Sequence, residues 1–205
     1  MLNNLDYVAA IVPESFITSN LFHNRLYAVV ELNCKMFEDT ECPVCLALFS
    51  PSDCIPNANT FRVYQSNMFI GTYNKLLKYK PAEAIIKFKF NDPNGVLGIQ
   101  CIDNSREDSI SFFQGSLIPS QSIKPTSRLK TRVSIPNIEL SEDKLNSLID
   151  ECNRILKSYR QNTSDIFLTA FKGLRKDGKY RRRLDYKTAT NIISKALSNL
   201  EVQKK

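Results

Sequence analysis

Tyr7 to Phe49 reads YVAAIVPESFITSNLFHNRLYAVVELNCKMFEDTECPVCLALF, and the fold is decided there. Tyr7-Val8-Ala9-Ala10-Ile11-Val12 is continuously apolar, the pattern of a strand covered on both faces of a parallel α/β sheet. Pro13 ends it, because proline donates nothing to a ladder. Residues 16–25 predict a short helix, with Phe16, Leu21 and Phe22 to pack. Tyr27–Leu32 is a second apolar run and Pro43–Phe49 a third. The polar loop between them, which also holds Phe37, is too short for a crossover helix. Those two strands are therefore expected to pair antiparallel.

Working outward, the turn-rich stretch SPSDCIPNAN (50–59) is the expected domain boundary. Thr60–Tyr64 reads as a strand and Asn74–Tyr79 as a helical turn stopped by Pro81. AIIKFKF (84–90) and VLGIQCI (96–102) flank Asn91-Asp92-Pro93-Asn94-Gly95, which predicts a hairpin with positive φ at Asn94-Gly95. Ser109–Phe113 adds a strand, giving a small antiparallel sheet over residues 60–135. Three helices follow. Ser141 caps the first, with Glu142 and Asp143 in its first turn and Leu145, Leu148, Ile149, Cys152, Ile155 and Leu156 at helical spacing. Ser164 is read as the cap of a second, packing through Phe167, Ala170, Phe171 and Leu174. Asp185 caps a third, with Ala189, Ile192, Ile193, Ala196, Leu197 and Leu200 inside.

Charge is uneven. Residues 1–150 hold 14 Lys/Arg against 16 Asp/Glu, whereas residues 151–205 hold 14 against 5. That asymmetry points to a polyanionic partner. Seven of the twelve residues from Lys172 to Arg183 are cationic: Lys172, Arg175, Lys176, Lys179, Arg181, Arg182 and Arg183. Crowded around the Asp177-Gly178 turn, they repel one another unless an anion is present, and nucleic acid is the expected anion. Lys124, Arg128, Lys130 and Arg132 form a second basic group in SIKPTSRLKTR; it reads equally as a solvated linker or a DNA-facing loop.

Several classes are disfavoured. No apolar run approaches the ~20 residues that span a bilayer. Asp6 precedes the first apolar run without a basic flank, unlike a secretory signal. Six cysteines then imply reduced thiols and a cytoplasmic place. Cys42-Pro-Val-Cys45 has zinc-knuckle spacing, with Cys34 and Cys54 nearby. Yet Cys45 runs straight into Leu-Ala-Leu-Phe, and in a strand Cys42 and Cys45 face opposite sides. Buried free thiols are expected, and no metal. His23 is the only histidine, and nothing nearby marks it as a base.

Ile-Val-Pro-Glu-Ser-Phe, Val-Val-Glu-Leu, Met-Phe-Glu-Asp-Thr and Cys-Leu-Ala-Leu-Phe together resemble part of the gamma-class N6-adenine DNA methyltransferases. These include TaqI-like enzymes and type I modification subunits. The resemblance covers about a fifth of the chain, the part of the sheet that follows the catalytic motif. It implies a Rossmann-like sheet ending in an antiparallel hairpin, with a DNA-recognition region downstream. It also implies a target adenine flipped out of double-stranded DNA and an aromatic residue stacked on it, which matches Phe37; otherwise Phe37 is a loop residue tucked into the core. The family's glycine-rich S-adenosylmethionine loop and its Asn/Asp-Pro-Pro-Tyr/Phe motif are missing from the sequence, which reads as if it began inside a catalytic domain.

The expectation is an α/β or α+β chain. Residues 1–55 would form a partial Rossmann-like methyltransferase sheet, and residues 56–205 the recognition region, β-rich over 56–138 and a helical cluster over 139–205. Function follows as target recognition in a split or truncated adenine methyltransferase, inactive and without cofactor alone, completed by a second subunit. A non-enzymatic nucleic-acid-binding or inhibitory protein is the alternative, and an RNA- or single-strand-binding protein a third.

Overall fold

The computed structural model describes residues 6–22, 24–32, 36–38, 42–51, 59–84, 86–136 and 140–202. They form a mixed α/β architecture of three sheets and three helices. The first sheet holds β1 (Val8–Pro13), β2 (Leu26–Leu32), β3 (Val44–Phe49), β4 (Arg62–Gln65) and β5 (Met68–Thr72), in the order β1-β3-β2-β4-β5. As expected, β2 and β3 pair antiparallel. β3 is also antiparallel to β1, so β1 and β2 run the same way with β3 reversed between them. β2 is parallel to β4, and β4 antiparallel to β5.

Three expectations for this region change. β1 is an edge strand whose residues alternate between half-buried and exposed, so only one of its faces is covered. The helix expected over 16–25 is a single 3₁₀ turn, Glu14–Thr18. It stops where the Ser19 hydroxyl donates back to the Phe16 carbonyl at 2.8 Å, and Asn20 and Phe22 then take left-handed φ of 60° and 55°. The boundary expected at 55/56 falls inside one sheet, because β4 and β5 extend the sheet that β1 to β3 begin.

After α1 (Tyr73–Leu77) comes a four-stranded antiparallel sheet of β6 (Lys89–Phe90), β7 (Leu97–Gln100), β8 (Ser111–Gln114) and β9 (Lys130–Ser134), ordered β6-β9-β7-β8. The expected hairpin between 84–90 and 96–102 does not form: β9 enters between the two arms. Gly95 makes room for it. A Cβ there would lie 2.5 Å from the Val133 backbone nitrogen, so close approach and not a positive φ accounts for this glycine, whose N–H closes a turn on the Asp92 carbonyl at 2.9 Å. The left-handed turn residue is Asn91, at φ 54°.

α2 (Glu142–Thr163) follows the expected periodicity, burying Leu148, Ile149, Cys152, Ile155 and Leu156 against β8 and the last helix. Ser164 does not cap a new helix. It adopts φ 47° and ends α2, and the segment expected to be helical forms the hairpin β10 (Thr169–Leu174) and β11 (Tyr180–Arg183). Phe171 and Arg181 are partners across it, the guanidinium lying 5.2 Å from the ring centroid, a contact that favours the hairpin. α3 (Tyr186–Val202) starts where expected: the Asp185 carboxylate accepts from the Thr188 N–H at 2.9 Å. It buries Ala189, Ile192, Ile193, Ala196 and Leu197. Each Ile so buried contributes about 1.5–3 kcal/mol. One apolar cluster runs from Ile17 and Val29 through Ile99 to Tyr159 and Ile193, so all three sheets and both long helices share an interior. Among the described residues no helix is long and apolar enough to cross a membrane.

Candidate functional site

The inner face of the first sheet carries the row Val12, Cys45, Glu31, Gln65 across four strands. Glu31 is buried there, in the middle of an apolar strand. Such a charge needs a partner, and Arg182 of β11 supplies it. Arg182 is itself buried and forms ion pairs with Glu31 and with Glu14, the first residue after β1. The Gln65 amide donates to the second Glu31 oxygen at 3.0 Å. Burial pulls the Arg182 pKa down, but the Glu14 and Glu31 carboxylates outweigh it and leave the group more basic than usual. Burial pushes Glu14 up to about 7, against Arg182 and with the help of Glu31. Cys45, beside them, is pushed to about 12 by burial and then by the two carboxylates.

A second buried node adjoins it, the Arg182 backbone N–H donating to an Asp103 carboxylate oxygen at 3.3 Å. Arg160 of α2 reaches both oxygens of Asp103 (3.0 and 2.9 Å), Asp165 (2.9 and 2.7 Å) and Asp108 (2.8 Å). Burial opposes the Arg160 charge, but the Asp165 and Asp103 carboxylates raise its pKa. Burial likewise pushes Asp103 up, and Arg160 with the Ser109 and Ile110 N–H groups brings it below the usual carboxylate range. Arg175 continues the chain of charges to Asp108 and Asp177.

These nodes redistribute the expected basic corner. Arg182 points into the core, and Arg175 is held by two carboxylates. Arg181 donates to the Asp103 carbonyl at 2.7 Å, and Arg183 is half-buried on β11, opposite Ile102. Carboxylates of the chain itself neutralise Arg175 and Arg182, where the sequence suggests an external anion. What stays exposed is lysine: Lys172, Lys176 and Lys179 around a tip pinned by the Lys176 N–H on the Ser105 carbonyl (2.9 Å). In the second basic group Lys124, Arg128 and Lys130 are exposed, whereas Arg132 donates to the Gly95 carbonyl (2.8 Å) and the Ser120 hydroxyl (2.6 Å). Arg175, Lys179 and Arg182 do meet: with Arg160, Asp108 and Asp165 they line a cleft of about 290 Å³. Its lining holds four cations and two carboxylates, and three of the cations are also paired outside it: Arg160 with Asp103, Arg175 with Asp177, and Arg182 with Glu14 and Glu31.

Phe37 is 44 % exposed, in the loop that joins β2 to β3. It is not tucked into the core. Cys42 is exposed and Cys45 buried, so their thiols do not converge; Cys34, Cys54 and His23 lie outside the described residues. Three of the described glycines are committed to packing. A Cβ on Gly95, Gly98 or Gly115 would strike the chain's own backbone or the Phe113 ring, so their close approach serves packing. Glu14, Glu31, Asp103 and Arg160 were not singled out from sequence. The available signal was a single charge set inside an apolar strand, as in Val29-Val30-Glu31-Leu32. Neither family models, curated proteins nor solved structures yield a match to this chain.

Proposed function

We propose that this chain is the target-recognition part of an adenine-specific DNA methyltransferase, inactive by itself and completed by a subunit that brings the S-adenosylmethionine loop and the catalytic motif. The observation that carries the reading is the unfinished state of the first sheet among the described residues. No strand pairs with the outer edge of β1. On the sheet's outer face Ile11, Leu46, Val30, Tyr64 and Phe69 stand in register across all five strands, each half-buried or exposed. An open edge and an apolar row together mark a docking surface. A subunit adding strands to β1 and a layer over that row satisfies both. The parallel β1 and β2 with β3 reversed between them agree with the antiparallel ending that the resemblance implies.

DNA contact falls to the exposed Lys172, Lys176 and Lys179, with Lys124, Arg128 and Lys130, through phosphates. In this reading the exposed Phe37 stacks on an extruded base. A cytoplasmic place goes with this reading. The test is a fluorescence-anisotropy titration of the chain against duplex DNA, single-stranded DNA and RNA at several salt concentrations. Duplex preference with a steep salt dependence supports the proposal, and tighter binding to single strands or RNA rejects it.

A further inference from the structure

Tyr27 stands where β2 carries one residue too many. Leu26 pairs with Phe49 and Ala28 with Leu48, so Tyr27 has no partner in β3 and is the extra residue of a β-bulge. A bulge re-aims a side chain, and bulges are over-represented next to active sites. This one presents an aromatic ring that is 48 % exposed. Tyr7, immediately before β1, is 76 % exposed. β3 lies between β1 and β2. The backbones that carry the two tyrosines are therefore two inter-strand spacings apart, about 9.5 Å. Stacked or tilted rings keep their centroids about 4.5–7 Å apart, so one planar ring fits between two others at that separation.

The two tyrosines line a groove of about 660 Å³, together with Val8 and Ala9 of β1 and Leu48 and Phe49 of β3. That volume lies within the roughly 300–1,000 Å³ of small-molecule sites, and the lining is apolar and aromatic as such sites are. Arg62 brings the charge. It is the cross-strand partner of Ala28, as Ala28 is of Leu48 and Leu48 of Ala9, so it belongs to the same row of the sheet as the groove's floor. Its guanidinium donates to the Tyr27 hydroxyl at 3.2 Å and lies 5.4 Å from the centroid of that ring. Arg62 is exposed and forms no ion pair among the described residues. An arginine that stacks on an aromatic face and keeps donors in hand suits a phosphate. A neutral ring alone would leave Arg62 unused, and an inorganic anion would leave both tyrosines unused. We propose that this groove binds a free nucleoside 5′-monophosphate, with its base between Tyr7 and Tyr27 and its phosphate on Arg62. The lining residues carry no charge, so the successive phosphates of a strand would go unmet there. The site goes beyond the methyltransferase reading and stands without it.

The test is isothermal titration of the full chain with adenosine 5′-monophosphate, with adenosine and ribose 5-phosphate as the two halves of the ligand. Saturable one-site binding is expected for the monophosphate, with each half weaker by about tenfold or more. Arg62→Gln is expected to weaken the monophosphate by about tenfold or more and to leave the weaker binding of adenosine unchanged. Tyr7→Ala changes an exposed position and is expected to weaken both by about fivefold or more. No saturable binding to the folded wild-type chain, ribose 5-phosphate binding as well as the monophosphate, or undiminished binding by both variants overturns the proposal. So does tighter binding of benzoate, which would make the ligand an aromatic acid, or of a trinucleotide, which would make it a strand.

Discussion

Arg182 and Glu31 form an ion pair inside the core, joining the last hairpin to the second strand across 151 positions of sequence. The pair, with Glu14, ties the C-terminal third of the chain to the first sheet. Arg182→Met strands two buried carboxylates and is expected to cost about 3–5 kcal/mol, measured as a lower urea midpoint at unchanged slope. Replacing Glu14, Glu31 and Arg182 together by Gln, Leu and Met is expected to recover most of that loss, because no charge is then left unpaired. A neutral Arg182→Met would remove the tie.

The exposed lysines should behave in the opposite way. Changing Lys172, Lys176 and Lys179 to Gln is expected to leave stability within about 0.5 kcal/mol. Duplex affinity should drop, and the slope of log K against log salt should become shallower by up to about 3. The check is the anisotropy titration repeated on this variant. An unchanged slope would move the contact away from the β10–β11 hairpin.

Phe37 is exposed, so Phe37→Ala is expected to be silent in thermal melts and nearly silent in DNA affinity. In the reconstituted enzyme it is expected to lower the 2-aminopurine fluorescence that reports base extrusion. A wild-type signal would take the stacking role from this residue.

The pH profile carries two windows of opposite sign. Glu14 is raised to about 7, so between about pH 4.5 and 7 the folded chain holds a proton that the unfolded chain has lost. Stability is therefore expected to fall by up to about 3 kcal/mol as pH rises through that window and to level off above it. Asp103 and Asp92 are depressed: Asp103 by Arg160 and N–H groups that outweigh its burial, Asp92 to about 2 by Ser134, the Asn94 N–H and Lys89. Their contribution is present above about pH 4 and is lost as pH falls below it. Urea melts from pH 3 to 8 read both windows, and Glu14→Gln should flatten the upper one alone.

Gly95→Ala is expected to cost about 1–3 kcal/mol by forcing β9 away from β7. Gly178→Ala meets open space but keeps a φ of +78°, so about 1 kcal/mol is expected. Thermal denaturation of the two variants separates close approach from turn strain.

The sequence made local elements legible and long-range pairings much less so. The α2 and α3 faces, the Asp185 cap and the β2–β3 antiparallel pair were readable because periodicity, caps and loop length act over a few residues. The insertion of β9 between β6 and β7 was not, since the partner of Gly95 lies at Val133. Asn94-Gly95 looked like hairpin chemistry because a glycine kept for close approach has the same letter as one kept for a turn. Residues 164–174 offered a helical spacing of apolar side chains, but cross-strand contacts with Arg181 and Arg182 outweighed it. The basic corner was legible as composition only. Which of its cations face carboxylates depends on Glu14, Glu31 and Asp108, all at least 60 positions away, as well as on the neighbouring Asp177.

The most direct test is methyl transfer from labelled S-adenosylmethionine to duplex DNA. It is run with the purified chain alone and again with a subunit carrying a glycine-rich loop and Asn-Pro-Pro-Tyr, encoded beside it. No transfer by the chain alone and adenine methylation by the pair is the expected result. Transfer by the unaided chain, or a pair that remains inert while both members are folded and bound to each other, contradicts the account.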